Sequence, residues 1–270
     1  MHLIVTKQDI GLWAASYIHR RIMEFSPCST KPFVLGLPTG ATVLSMYKFL
    51  REFHQQGKLD FSHLVTFNMD EYVGLSPQDS QSYHFYMKQN LFDSVNIPTQ
   101  NIHLLNGLAA DLDAECNTYE QAIQAAGGIE LFIGGVGRNG HLAFNEPGSS
   151  FTSRTRPVTL EPNTRQVNSR FFDNDISRVP TQALSVGIGT VLDARELLFL
   201  ANGEQKAPAV ARLSTGEITP QWPITALKTH PHATLLVDEE AAKLLTGEVR
   251  QRLEHAKNTQ PDQPDWRIEI

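Results

Sequence analysis

Cysteine is nearly absent from this chain of 270 residues: there are two, Cys28 and Cys116, far apart in sequence. So sparse a pair excludes a disulfide framework and any CxxC redox or zinc motif. The ten histidines include no HExxH. The nearest pair, His230-Pro231-His232, is split by a proline that argues against a helical metal-ligand pair. No apolar run approaches the ~20 residues of a membrane span. The opening Met1-His2-Leu3-Ile4-Val5-Thr6-Lys7 is too short an apolar stretch for a signal peptide, so a cytoplasmic protein is expected. A basic excess is also missing, with Lys plus Arg at 23 against Asp plus Glu at 29 and a formal charge of −6. Nucleic acid and anionic membrane are therefore not expected as partners, whereas a small anion held by a few local groups is allowed. Repeats, long linkers and low-complexity blocks are lacking.

The 41% of apolar and 19% of charged residues suit an ordinary soluble core and exclude intrinsic disorder. Short apolar runs at 3–6, 33–37, 64–68, 102–104, 129–134, 184–188, 197–201 and 234–237 are predicted strands. Longer amphipathic stretches separate several of them. Asp9 is placed to cap a helix whose Trp13, Tyr17, Ile18, Ile22 and Phe25 recur at helical spacing. Further helices are predicted over 43–53, with Leu44, Tyr47, Phe49 and Leu50 inward, over 111–126 and over 205–213. Strands separated by helices imply βαβ units. The expected fold is α/β: one domain over 1–245, with a mostly parallel sheet covered by helices on both faces. Residues 149–181 are poorer in apolar pattern and suit a mobile excursion from the sheet. The polar residues 246–270, with Pro261 and Pro264, are expected to pack outside or fray as a C-terminal tail.

Ligands of such a sheet bind at the carboxyl ends of its strands, and three of those ends carry chemistry. Leu35-Gly36-Leu37-Pro38-Thr39-Gly40-Ala41-Thr42 runs from a strand through a Gly/Thr turn into a helix. Free amides at a helix start make an anion site, and Gly40 lets the backbone approach closely; the plainer alternative is a βα turn with a Thr cap. It is not a Walker A loop, since no Gly-Lys-Ser/Thr follows. In Thr66-Phe67-Asn68-Met69-Asp70-Glu71-Tyr72 two carboxylates end an apolar strand. Successive side chains face opposite ways, so one of Asp70 and Glu71 enters a given pocket, and spacing alone leaves open which. The third end, Gly134-Gly135-Val136-Gly137-Arg138-Asn139-Gly140-His141, holds a GxGxxG with Glu161 some way on. Pro147-Gly148 interrupts the long helix that a dinucleotide site requires, so that reading fails. What is left is an imidazole, His141, with the carboxylate Glu146 nearby, a general acid–base device against the alternative of a surface histidine beside an unrelated Glu.

Taken together, Leu37-Pro38-Thr39-Gly40, Phe67-Asn68-Met69-Asp70-Glu71-Tyr72, Gly137 through Pro147 and Ser169-Arg170-Phe171-Phe172-Asp173 resemble the glucosamine-6-phosphate deaminase family, in register from the first strand to about Val237. The resemblance implies a Rossmann-like fold and conversion of glucosamine 6-phosphate and water to fructose 6-phosphate and ammonia, in amino sugar catabolism, without metal or organic cofactor. It assigns Asp70 as the base that takes the C2 proton of the ring-opened sugar, His141 to ring opening and Glu146 to pairing with His141. Thr39, Gly40, Ala41 and Thr42 become the phosphate loop, with Arg170 and Lys206 as its cationic partners. Glu71 receives no role and is read as structural. Because Arg170 lies in the polar excursion, residues 160–183 are expected to form a lid that closes on phosphate.

Two departures stand out. Many family members carry Asp where this chain has Asn139, so any proton relay must run through His141 and Glu146, with Asn139 at most orienting a hydroxyl. Hexameric members bind an activator phosphate with a basic residue where Val158 stands; Ser149, Arg156 and Thr159 match, but without that cation little allostery is expected. Oligomeric state, monomer through hexamer, stays open, as does the choice between glucosamine and galactosamine 6-phosphate. The rival enzyme is 6-phosphogluconolactonase, which activates water and needs no carbon base such as Asp70. A non-catalytic phosphosugar sensor is disfavoured by the absence of a helix-turn-helix extension.

Overall fold

The computed structural model describes every residue from Met1 to Ile270. In chain order the elements are β1 (His2–Thr6), α1 (Ile10–Phe25), β2 (Phe33–Leu37), α2 (Leu44–Gln55), β3 (Leu64–Asn68), β4 (Asp70–Tyr72), α3 (Tyr83–Asn90), β5 (Ile102–His103), α4 (Leu112–Ala125), β6 (Leu131–Gly135), β7 (Arg156–Thr159), α5 (Pro162–Asn168), β8 (Gln182–Ser185), α6 (Ile188–Leu192), β9 (Leu197–Ala201), α7 (Ala207–Ala211), β10 (Ala233–Asp238), α8 (Glu239–Ala242), α9 (Gly247–Thr259) and β11 (Asp265–Glu269). Eight strands form one sheet in the order β11-β1-β10-β9-β6-β2-β3-β5. All its neighbours pair in parallel except β11, which runs antiparallel to β1.

Strand residues alternate between two apolar layers. Leu3 and Val5 join a core beneath α4, α6, α7, α8 and α9, while Ile4 joins a core beneath α1, α2 and α3. Both faces are thus covered, which explains why β2, β9 and most of β10 are buried throughout. Asp9 caps α1 as expected, accepting from the N–H groups of Gly11 and Leu12 at 2.9 Å.

Several local expectations need correction. The run at 184–188 does not join the main sheet: β8 lies antiparallel between β4 and β7 in a separate three-stranded sheet. Leu44 is 41% exposed, because a 3-10 turn over Ala41–Val43 precedes α2 and rotates its apolar stripe so that Met46, Tyr47 and Leu50 point inward. The stretch at 205–213 is two 3-10 turns flanking the short α7, with Pro208 near its start. Of the two alternatives for residues 246–270, the first holds: they pack on the outside of the sheet and do not fray. They supply α9 and the edge strand β11, whose Trp266 and Ile268 are buried while Arg267 and Glu269 face out.

The topology fixes where a ligand sits. From β2 the chain moves outward to β3 and β5, then returns to β6, β9 and β10 on the other side, so the winding reverses between the paired strands β2 and β6. The crevice beyond the carboxyl ends of two such strands is where α/β sheets bind their ligands.

Candidate active site

A cleft of about 420 Å³ opens at that reversal point, within the usual range for small-molecule sites. The loop after β2 supplies Thr39, Gly40, Ala41 and Thr42; the end of β3 leads to Asp70; the turn after β6 supplies Arg138, Asn139 and His141; the loop after β9 supplies Asn202, Gln205 and Lys206. From the excursion after β7 come Asn163, Thr164, Asn168, Arg170 and Phe171. Four strand ends and one excursion therefore meet in one hollow. Glu146 stands just behind its lining.

Asp70 and Glu71 divide as adjacent strand residues must. Asp70 lines the cleft, 7% exposed, and its Oδ1 is buried without a hydrogen-bond partner. Glu71 points the other way and is saturated: it accepts from the N–H groups of Tyr72, Tyr83 and His84, and lies 2.7 Å from His84 Nδ1. The choice that the spacing left open falls to Asp70 as the residue in the cleft, with Glu71 bracing β4 against α3. Burial, with the Glu71 charge adding to it, pushes the Asp70 carboxyl up to about 8. Its walls are phenols, and the Asp70 charge in turn adds to the burial that pushes Tyr72 up to about 12.

The turn after β6 is tight. Gly137 N–H donates to the carbonyl of His141 at 2.9 Å, and Gly140 N–H donates to Gly137 at 3.1 Å. The imidazole packs against Gly137, where an added Cβ would fall 2.3 Å from its ring atoms and force the ring to move. Ala143, with a left-handed φ of 52°, reverses the chain so that His141 and Glu146 face each other. His141 Nδ1 stands 3.5 Å from Glu146 Oε2, a separation that a bound substrate can tighten. Glu146 also accepts from Asn139 Nδ2 at 2.7 Å and from the Thr164 hydroxyl of α5. Burial raises its carboxyl, but His141, Thr164 and Asn139 together outweigh that and hold it down at about 2. Glu146 is a fixed carboxylate beside a histidine. Asn139 thus orients that carboxylate directly rather than a hydroxyl.

The cleft also carries a cationic group of side chains. Gly40, at φ 101°, turns the chain so that the 3-10 turn and α2 begin at the cleft, and the Tyr86 hydroxyl steadies its carbonyl at 2.8 Å. Lys206 is partly buried; burial first, then the charges of Arg138 and Arg170, lowers its amine to about 8. Mutual repulsion among unneutralised cations marks a place prepared for an anion.

A family model described as glucosamine-6-phosphate isomerases/6-phosphogluconolactonase matches residues 6–236. The chain belongs to this family. A glucosamine-6-phosphate deaminase of Porphyromonas gingivalis strain W83 is 54% identical over 243 residues, 89% of this chain and 92% of that one. One of Drosophila pseudoobscura pseudoobscura is 51% identical, with 89% of each chain covered. A solved structure described as a monomeric glucosamine-6-phosphate deaminase is 41% identical, with a TM-score of 0.86 over 90% of this chain and all of that one. The 6-phosphogluconolactonase of Trypanosoma cruzi, 18% identical with a TM-score of 0.67 over 91% of this chain and 97% of its own, shares the fold alone.

Within this glucosamine-6-phosphate isomerase/6-phosphogluconolactonase chain, the cleft gathers every residue that sequence reasoning nominated, with Glu146 behind its lining. It also gathers residues that reasoning missed. Thr164 holds Glu146, and Asn168 donates to the Tyr72 hydroxyl at 2.9 Å. Their only signal was membership of the polar excursion. Arg138 was visible inside the glycine-rich motif but carried no role. His230, whose Nε2 and Nδ1 meet the Ala194 carbonyl and the His232 N–H, is engaged as a structural histidine. No three His, Cys, Asp or Glu residues cluster as a metal site would need. No helix is long and apolar enough to cross a membrane.

Proposed function

We propose that this chain is a glucosamine-6-phosphate deaminase, taking glucosamine 6-phosphate and water to fructose 6-phosphate and ammonia. One observation carries the reading: a buried, unpartnered carboxyl at Asp70 faces the same cleft as an anion-ready end built from Thr39 to Thr42, Arg170 and Lys206. The names of the relatives at 51% and 54% identity support it.

In this reading the phosphate docks on the amides and hydroxyls of residues 39–42, with Arg170 and Lys206 neutralising its charge. That remote grip supplies binding energy that holds C2 against Asp70. His141, kept in register by Glu146, passes a proton in ring opening. Asp70 then takes the C2 proton, giving an enolamine. Asp70 acts from its ionised form, and a carboxylate whose acid is held near 8 is a far stronger base than a free aspartate near ~3.9. The proton returns at C1, water adds at C2, and ammonia leaves. The relay runs through His141 and Glu146, and Asn139 orients Glu146.

Residues 160–183 are proposed as a lid. Support comes from α5, which bridges the cleft through Thr164 to Glu146 and Asn168 to Tyr72. Protease cleavage there slows when a substrate analogue is bound; equal rates contradict the lid. A cytoplasmic location belongs to the same reading, since a phosphorylated sugar is charged and does not cross a bilayer unaided.

The test is product release from glucosamine 6-phosphate and galactosamine 6-phosphate, with gluconolactone 6-phosphate as control. The reading predicts ammonia and fructose 6-phosphate from the first substrate. Lactone hydrolysis without ammonia from either amino sugar would overturn it in favour of the lactonase.

A further inference from the structure

Arg138 stands at the cleft with no protein anion to pair with. It is exposed, lines the cleft with Lys206, Arg170 and residues 39–42, and precedes Asn139 in the turn that carries His141. The carboxylates that could neutralise this corner are engaged elsewhere. Glu146 is held by Asn139 and Thr164 and faces His141, and Glu204, two residues from Lys206, pairs with Lys243. The cleft therefore presents three cations, and two of them, Arg138 and Arg170, carry forked donors suited to phosphate oxygens.

We infer that Arg138 is a third cationic ligand of the substrate phosphate, reaching it from the His141 turn and so tying the phosphate end of the cleft to the acid–base end. This rests on the phosphosugar reading above. Lys206 carries an independent mark of the proximity: Arg138 is the first of the two positive charges that depress its amine. A dianion between them relieves that repulsion, so a loop that would otherwise be pushed away is drawn in. With its charge exposed and unpaired in the free protein, Arg138 gives up only hydration when it engages the ligand. A guanidinium on phosphate also places the backbone of residues 137–141, over which the His141 ring lies.

The experiment compares wild type, Arg138→Gln, Arg138→Lys and the distant charge control Arg250→Gln on α9. The readouts are binding of inorganic phosphate, followed by chemical-shift titration of the whole chain, and the KM for glucosamine 6-phosphate. Arg138→Gln is expected to weaken phosphate binding and raise KM, each by about tenfold, the usual weight of one charge-assisted hydrogen bond. Arg138→Lys recovers part of both, and Arg250→Gln moves neither. Phosphate binding that is the same in Arg138→Gln and wild type overturns the inference. So does an equal loss in Arg250→Gln, which would make the effect one of net charge. If phosphate binding depends on Arg138 while no amino sugar phosphate is turned over, the ligand assignment stands and the deaminase reading falls.

Discussion

Asp70→Asn should make the protein more stable in mild alkali while it removes the proposed base. The Asp70 carboxyl is 7% exposed, its Oδ1 has no partner, and burial with the Glu71 charge pushes it from 3.8 up to about 8. A folded-state value raised above the unfolded one means that the folded chain resists ionisation. Stability from this group is whole below pH 3.8 and is lost as the pH rises toward 8. At about 1.4 kcal/mol per pH unit the full interval sets a ceiling near ~6 kcal/mol. Relaxation around the ionised carboxylate and entry of water reduce the net to roughly 2–4 kcal/mol. Asparagine has the same shape and no charge to bury. Urea unfolding of both proteins at pH 4, 6 and 8.5 should give near-equal free energies at pH 4, with the variant ahead by that margin at pH 8.5. A difference that is constant across pH, or a variant weaker at pH 8.5, would refute the claim that this carboxyl is held neutral by burial.

Other outcomes follow from the same geometry. Lys206 loses its charge above about pH 8, so KM for the phosphosugar should climb several-fold between pH 7 and 9.5, and Lys206→Gln at pH 7 should reproduce the high-pH value; a flat KM profile contradicts its role. Gly137→Ala puts a Cβ 2.3 Å from the His141 ring, and kcat should fall ~100-fold with cooperative unfolding retained, because displacement of a catalytic group by about an ångström costs that much. Trp266→Ala should cost about 3–5 kcal/mol in urea unfolding, since Trp266 is 3% exposed and donates from its indole to the Gln260 carbonyl; a loss below ~0.5 kcal/mol would mean that β11 adds nothing to the core.

The central strands were legible because each is a continuous apolar run buried on both faces; the predicted spans at 33–37, 64–68 and 197–201 coincide with β2, β3 and β9. The second sheet was not, because β4 pairs with β8 across more than a hundred residues, β7 reaches β8 only around the polar excursion, and their short runs carry no signal of the partner. Asp265-Trp266-Arg267-Ile268-Glu269 does alternate as an edge strand should, yet Pro261 and Pro264 before it read as punctuation and hid the pattern. In the cleft, the glycine-rich turns and the Asp70-Glu71 pair announced themselves by residue type. Which carboxylate faced inward was a matter of strand orientation, settled once α3 was seen to supply N–H donors to Glu71. Thr164 and Asn168 reach the cleft only through the placement of α5, which no local pattern encodes.

The proton at C2 offers the most direct measurement. Glucosamine 6-phosphate is incubated in deuterium oxide with wild type or Asp70→Asn, and loss of the C2–H resonance is followed together with ammonia release. The account predicts rapid turnover with wild type and, for the variant, both processes slowed at least ~1,000-fold although phosphate still binds. A variant that still labilises C2–H or releases ammonia near the wild-type rate would mean that some other group, not Asp70, takes the proton.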